Sequence, residues 1–387
     1  MKIALCLIVK GKGEEAKLER ALASIAPYVD GIYITLTGPT NELTEIEKVC
    51  KMFKANVSYE RALWSANEKV IKWLKDFFKY EPFMKEDDKL FRFDDARNFN
   101  FSQVPKDYDF IFWMDSDDVL SKGENLRLVA EHALKENIEA VYLNYLYQAE
   151  FENGKIKHRI IEHLRERLIR NNNKYKWISP IHETLIEQVP TSKTDNYDLE
   201  VVHLATDADR QLSLNRNLKN LELSIYLTNG KDPRHIYYLA KALYDMRTEQ
   251  ADFRAIPLIV DHYLNGDHKS GWPEERQQAW EYLSEIYRRR QQYNNEIKAL
   301  LNSMTEIATP TPSIFLGVAL HYMMQQQYEI ALSWVRIATS IPEKKTTLVR
   351  NPKDLQGRTL EILYNACLNL GQVDETWAAA RKLLDMF

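Results

Sequence analysis

Three carboxylates fall within four residues, Asp115, Asp117 and Asp118, directly after the apolar run FIFWM at 110–114. Charges so close repel one another unless a cation or solvent compensates, and hard divalent cations prefer oxygen ligands. Acidic turns of this kind also cap helices. Its place at the end of an apolar strand is what makes a metal the economical reading. Two later segments could complete such a site. Residues 177–183 (WISPIHE) end in the pair His182-Glu183, and residues 199–204 (LEVVHL) carry His203 in an apolar setting. A histidine in an apolar strand is more often a satisfied core residue than a ligand. Here, however, a metal gripped by one strand needs a ligand from elsewhere, and deprotonating a hydroxyl needs a nearby carboxylate. His203 and Glu183 are the candidates.

The elements that must position these groups alternate strand and helix. Residues 3–9 (IALCLIV) form a continuous apolar run followed by Lys10-Gly11-Lys12-Gly13, the pattern of a strand buried on both faces and ended by a turn. Residues 14–26 carry apolar positions at helical spacing up to Pro27, residues 32–36 read as a second strand, 44–53 as a second helix and 56–59 as a short third strand. This βαβαβ start predicts a mostly parallel sheet that binds ligands at the carboxyl ends of its strands. Residues 64–80 read as an inserted amphipathic helix, residues 81–90 as a loop, and 110–114 as a fourth buried strand.

In this order, ALCLIVKG, SIAPYVDGIYI, DDARN, FIFWMDSDD, RLIRNNNKYKWISPIHE and VVHL resemble family 2 glycosyltransferases of the GT-A fold, in particular the branch with a tetratricopeptide-like tail. The resemblance covers residues 1–210 by motif and the remainder by pattern. It implies a nucleotide-sugar donor, a UDP-sugar first, and a macromolecular acceptor. Asp115 and Asp117 then match the DxD that holds Mn2+ or Mg2+ against the donor diphosphate, and His203 a histidine that completes metal or diphosphate binding. Arg97 matches a residue close to the nucleotide, and Val9 and Thr37 fall on the donor side. Glu183 is the implied general base, with His182, Arg167 and Trp177 on the acceptor side. One departure concerns the base of the nucleotide. Where many relatives have an acidic turn after the second strand, this chain reads Leu36-Thr37-Gly38-Pro39-Thr40-Asn41, leaving base recognition to Thr35, Thr37 or backbone groups.

A chain of 387 residues exceeds one compact core, and its strand signal stops near residue 207. The expected domains are therefore 1–206, an α/β catalytic domain, and 207–387, an all-α domain. In the latter, Phe315, Val318, Ala319, Tyr322, Tyr328, Ala331, Val335, Ala338 and Pro342 fit a 34-residue tetratricopeptide helix pair. Units near Trp280, Tyr237 and Tyr364 repeat its first part. Such arrays bind a partner chain, a twin subunit or an extended acceptor, and a homodimer through this domain is one expectation.

Composition narrows the remaining classes. The net charge is -4, with 45% hydrophobic and 28% charged residues, which excludes disorder and a general polyanion binder. Seven apolar residues at 3–9 are too few for a membrane span, so a cytoplasmic protein is expected. Cys6, Cys50 and Cys367 lack disulfide or zinc spacing. Eight basic residues between Lys155 and Lys176 read first as a solvated helix face, with a phosphate-bearing acceptor such as hydroxymethylated DNA as the minority reading. The competing functions are a tetratricopeptide scaffold with an inactive nucleotide-binding domain, and a nucleotidyltransferase. The Lys10-Gly11-Lys12-Gly13 turn lacks the Walker pattern.

Overall fold

The computed structural model describes residues 1–152, 155–187, 193–194, 198–204, 207–265, 271–306, 310–342 and 352–386. The chain divides into two compact units, one of residues 1–77 and 81–224, the other of residues 78–80 and 225–387. The division falls inside a 21-residue helix that begins at the expected boundary.

The first unit is built on a mixed sheet. Its strands are Ile3–Val9 (β1), Gly31–Leu36 (β2), Asn56–Tyr59 (β3), Phe110–Trp113 (β6), Asp118–Ser121 (β7), Ala140–Glu152 (β8), Lys155–Arg170 (β9), Lys193–Thr194 (β12) and Glu200–His203 (β13). Two small antiparallel pairs stand apart, Leu63–Ser65 (β4) with Lys89–Phe91 (β5), and Tyr175–Ile178 (β10) with Thr184–Glu187 (β11). The order across the main sheet is β3-β2-β1-β6-β9-β8-β13-β7, with β12 beside β8. From β3 to β6 all pairings are parallel, whereas β9 runs antiparallel to both neighbours and β7 antiparallel to β13.

Both faces of β1 and β6 are covered, and the alternation of a strand sorts their side chains between two cores. Leu5, Leu7, Phe110 and Phe112 face one core with Leu18 and Leu22 of the helix Glu15–Ile25 (α1). The helices Thr44–Met52 (α2) and Leu126–Lys135 (α5) add Ile46, Val49, Val129 and Ala130 to that core. Ala4, Cys6, Ile111 and Trp113 face the other, with Trp177 of β10. The helix Phe93–Ser102 (α4) lies on this second side and supplies its partly buried Phe101. The odd-numbered residues of β6 therefore look toward α4, which sets where Asp115 can find a partner.

Three expectations are corrected here. Residues 63–65 are strand, and the amphipathic helix Glu68–Phe78 (α3) begins after them. Part of the polar stretch 81–90 pairs back as β5. The basic stretch is not a helix face: residues 155–170 form strand β9, with Lys174 in the following loop and Lys176 in β10, and hairpin partner β8 follows β9 through several register shifts. Its charges consequently point both ways. Arg159 pairs with Glu162 and Glu200, and Lys174 with Glu139. Arg170 lies over the Phe110 ring, while Arg167 is fully buried.

The helix Asp207–Leu227 (α6) leads from the first unit into the second. There Pro233–Met246 (α7) and Glu249–Pro257 (α8) run into a π-helical segment, Leu258–Leu264, after Pro257. Six more helices follow as consecutive packed pairs: Pro273–Arg289 (α9) with Tyr293–Ser303 (α10), Pro312–Met324 (α11) with Tyr328–Ser340 (α12), and Pro352–Asn369 (α13) with Val373–Leu384 (α14). Of the repeat residues read from sequence, Ala319, Val335 and Ala338 lie in a core shared by these pairs, with Phe315 packed against it. Ala319, Leu332, Val335 and Ala338 share one core with Ile362 and Ala366. At Gly317 a Cβ would lie 2.6 Å from the end of the Leu300 side chain, so a side chain there would force Leu300 to move. All three cysteines are buried and free. Among the described residues no helix is long and apolar enough to cross a membrane.

Candidate active site

Asp117, Asp118 and His203 meet at the edge of the sheet where β6 ends. One ligand atom from each lies within 4.8 Å of the others. Pairing of β13 with β7 brings them together by placing His203 directly opposite Asp118. His203 Nδ1 is 3.1 Å from Asp118 Oδ1 and 3.6 Å from Asp117 Oδ1, and its ring stacks on Tyr147 at 5.2 Å. The amide of Leu204 donates to the carbonyl of Asp117, closing the turn.

The three acidic residues have different partners. Asp118 is fully buried. Its Oδ1 accepts from Tyr145 at 3.0 Å, and its Oδ2 lies 3.2 Å from Arg167, whose guanidinium sits 3.9 Å from the Trp113 ring. Asp115 accepts from Arg97 at 2.6 Å, as the alternation of β6 requires. Among the described residues no guanidinium pairs with Asp117. Burial, reinforced by Asp115 and Asp118, lifts its carboxyl to about 6 in spite of His203, whereas at Asp115 Arg97 and Arg167 overcome burial and hold the carboxyl at about 2. Burial opposes a charged ring at His203, yet the bond to Asp118 and the nearby Asp117 outweigh it and raise its pKa. An under-neutralised carboxylate, a second carboxylate and an imidazole form a donor set that could hold a divalent cation.

Arg97 links this cluster to Glu183. It comes from α4 and is buried, donating through Nε to Glu183 Oε1 at 2.8 Å and through the other arm to Asp115. Neighbours on the same helix fix its position. Asn98 exchanges two bonds with the backbone of Trp177, both 2.9 Å, and Asn100 donates to Tyr33 O and Thr35 Oγ1. Asn98, the last residue of DDARN, thus ties β10 to the helix that carries the arginine, and Asn100, two residues beyond the motif, ties β2 to it. Glu183 stands at the base of β11, after a tight loop in which Ser179 and His182 take positive φ values of 79° and 50°. Such conformations cost energy in residues other than glycine and cluster at functional loops.

The remaining candidates divide. Val9 and Thr37 are neighbours at the ends of β1 and β2, with both the amide and Oγ1 of Thr37 donating to Val9 O. Gly38 follows so closely on Lys10 that a Cβ would lie 1.9 Å from its carbonyl oxygen. Ser116 donates to Glu14 at 3.0 Å, tying the acidic turn to the loop after β1. His182 lies in the exposed part of the β10–β11 loop. Arg167 and Trp177, expected on the acceptor side, are buried: Arg167 beneath Asp118, and Trp177 against Trp113 at 4.8 Å. Arg165 was visible in the sequence only as one of eight basic residues. It lies 5.3 Å over Trp113 within the field of Glu183, and Tyr145 and Tyr147 gave no signal at all.

The raised carboxyl of Asp117 predicts a pH dependence. The folded chain holds this proton more tightly than the unfolded chain, whose value is near 3.8. Its contribution to stability is therefore complete below pH 4 and lost as the pH rises through 6, and the raised His203 acts with the same sign at higher pH. In metal-free protein, Asp117→Asn should match the wild-type melting temperature near pH 4 and exceed it at pH 7 by several degrees, reflecting up to about 3 kcal/mol. Mn2+ should raise the wild type alone. Equal melting curves at pH 7 would contradict the charge balance described.

Fold and site together define an α/β unit with an acidic and imidazole cluster able to hold a divalent metal, followed by a stack of paired helices. No protein-family model matches the chain, and neither does any curated protein. Among solved structures, pilF of Pseudomonas aeruginosa is 13% identical with a TM-score of 0.35, covering 47% of this chain and 70% of its own. BtubC (BKLC) from P. vanneervenii is 13% identical with a TM-score of 0.27, covering 47% and 91%. Overlaps this loose carry no argument about fold or activity.

Proposed function

We propose that the protein is a metal-dependent glycosyltransferase, moving a sugar from a nucleotide-sugar donor to a nucleophile on a macromolecular acceptor. The observation that carries this reading is the convergence of Asp117, Asp118 and His203 at the strand ends, on the same side as an arginine-bound Glu183. Crevices at the carboxyl ends of strands are where α/β sheets take nucleotides.

In this reading Asp117, Asp118 and His203 would hold Mn2+ or Mg2+, which supplies positive charge against the departing nucleoside diphosphate. Val9 and Thr37 border the donor's nucleoside. Arg97 is a positioning residue: it holds Glu183 and keeps Asp115 ionised. Glu183 takes the acceptor's proton as the acceptor attacks the anomeric carbon and the bond to the diphosphate breaks. The ion pairs of the basic stretch favour a peptide or glycan acceptor over a polyanion, because Arg159 on β9 and Lys174 beyond it are already matched by carboxylates.

The test is a donor panel. Nucleoside diphosphate release from individual nucleotide sugars is measured with Mn2+, with Mg2+ and with chelator. Slow metal-dependent hydrolysis of one donor is the expected result, and binding of a donor without turnover under any condition would instead favour the scaffold reading.

A further inference from the structure

The last described helix carries an apolar stripe that its own unit leaves uncovered. On α14, Val373, Trp377 and Leu384 are 62%, 63% and 77% exposed. Their spacing of four and seven residues puts them along one side of the helix. An exposed tryptophan flanked by aliphatic residues is the composition of an interface centre.

We propose that this face of α14 is a dimerisation surface, whose partner is the same helix of a second copy packed antiparallel about a two-fold axis. The order of residues carries the choice of partner. Asp374, Trp377, Ala378 and Arg381 line one surface depression, and they are symmetric about the midpoint between 377 and 378. Packing two copies antiparallel about that midpoint sets each Trp377 over the small Ala378 of its twin, and each Asp374 against the twin's Arg381. An isologous contact requires this kind of self-complementarity, in which i meets j and j meets i. The charges are available for it. Glu375 is held at home by Arg336 at 2.8 Å, whereas Asp374 and Arg381 make no ion pair with a described residue. Acidic residues in the first turn and basic ones in the last also bring opposite charge to each end of the pair.

One helix face is smaller than the ~1,200–2,000 Å2 of a stable interface, so association should be concentration-dependent, with a Kd on the order of micromolar. The proposal rests on α14 alone and holds whatever reaction the first unit performs.

Sedimentation velocity of the full chain, from about 1 to 200 μM, provides the test. Wild type should shift from monomer to dimer. Asp374→Arg should stay monomeric, because two arginines then face one another at both ends, and Arg381→Asp should do so for the opposite reason. Mixed in equal amounts, the two single variants should form a dimer of one copy each, and the double exchange Asp374→Arg/Arg381→Asp should dimerise by itself. All four positions are exposed, so circular dichroism and melting temperature should match wild type. A wild type monomeric at 200 μM overturns the proposal. So does a dimer that survives Trp377→Asp, or a mixture of the two single variants that fails to pair; these outcomes would place the contact elsewhere or assign the stripe to another partner.

Discussion

Replacing Asp117 with alanine is expected to abolish metal-dependent donor binding and turnover while leaving the protein folded. Asp117 is the member of the acidic turn without an arginine partner among the described residues, and its carboxyl is raised to about 6 by burial and by Asp115 and Asp118. Losing it relieves repulsion, so metal-free stability should hold or rise. The neighbouring substitution should behave in the opposite way. Asp118 is fully buried against Arg167 and accepts from Tyr145, so Asp118→Ala leaves a guanidinium in the core without its carboxylate, a change that typically costs about 3–5 kcal/mol. Calorimetric titration with Mn2+, alongside thermal melts, separates the two. Unchanged Mn2+ affinity in Asp117→Ala would remove Asp117 from the metal site. A fully stable Asp118→Ala would show that Arg167 does not depend on it.

Glu183→Gln is expected to lower transfer by ~100-fold or more and to leave donor affinity nearly unchanged, the scale on which a general base contributes. The substitution is conservative in shape. Glutamine can turn its carbonyl oxygen toward Arg97 Nε and keep the 2.8 Å hydrogen bond, so the loop between β10 and β11 retains its anchor while the basic oxygen is lost. Donor binding is read by calorimetry with Mn2+ and transfer by product formation across pH. Equal loss of donor affinity and rate would mean that Glu183 serves to hold Arg97 and not to move a proton.

Several of these features could be read from local sequence. The runs at 3–9 and 110–114 are apolar on both alternating sets of positions, which a strand tolerates only when both its faces are covered, and β1 and β6 are each covered on both faces. Helical spacing of small and aromatic residues around 315–342 likewise located the contacts of α11 and α12, because neighbouring helices in a pair touch through residues close in sequence.

Hydrophobic patterning failed where charged residues occupy a strand. β9 reads HRIIEHLRERLIR over residues 158–170, and its arginines and glutamates hide the strand because their partners come from other elements: Asp118 for Arg167, and Glu200 for Arg159. The acidic turn poses the same difficulty. Asp115, Asp117 and Asp118 are equivalent by type, so local sequence shows no more than that carboxylates gather at a strand end. Which of them is neutralised, which is buried and which is left to a cation depends on Arg97, Arg167 and His203, which lie 18, 49 and 85 residues from their partners Asp115, Asp118 and Asp118. Only the packing of α4 on the sheet, which delivers Arg97, and the pairings of β6, β9, β8, β13 and β7, which deliver Arg167 and His203, bring those side chains within bonding distance, and electrostatic interactions are decided at that range.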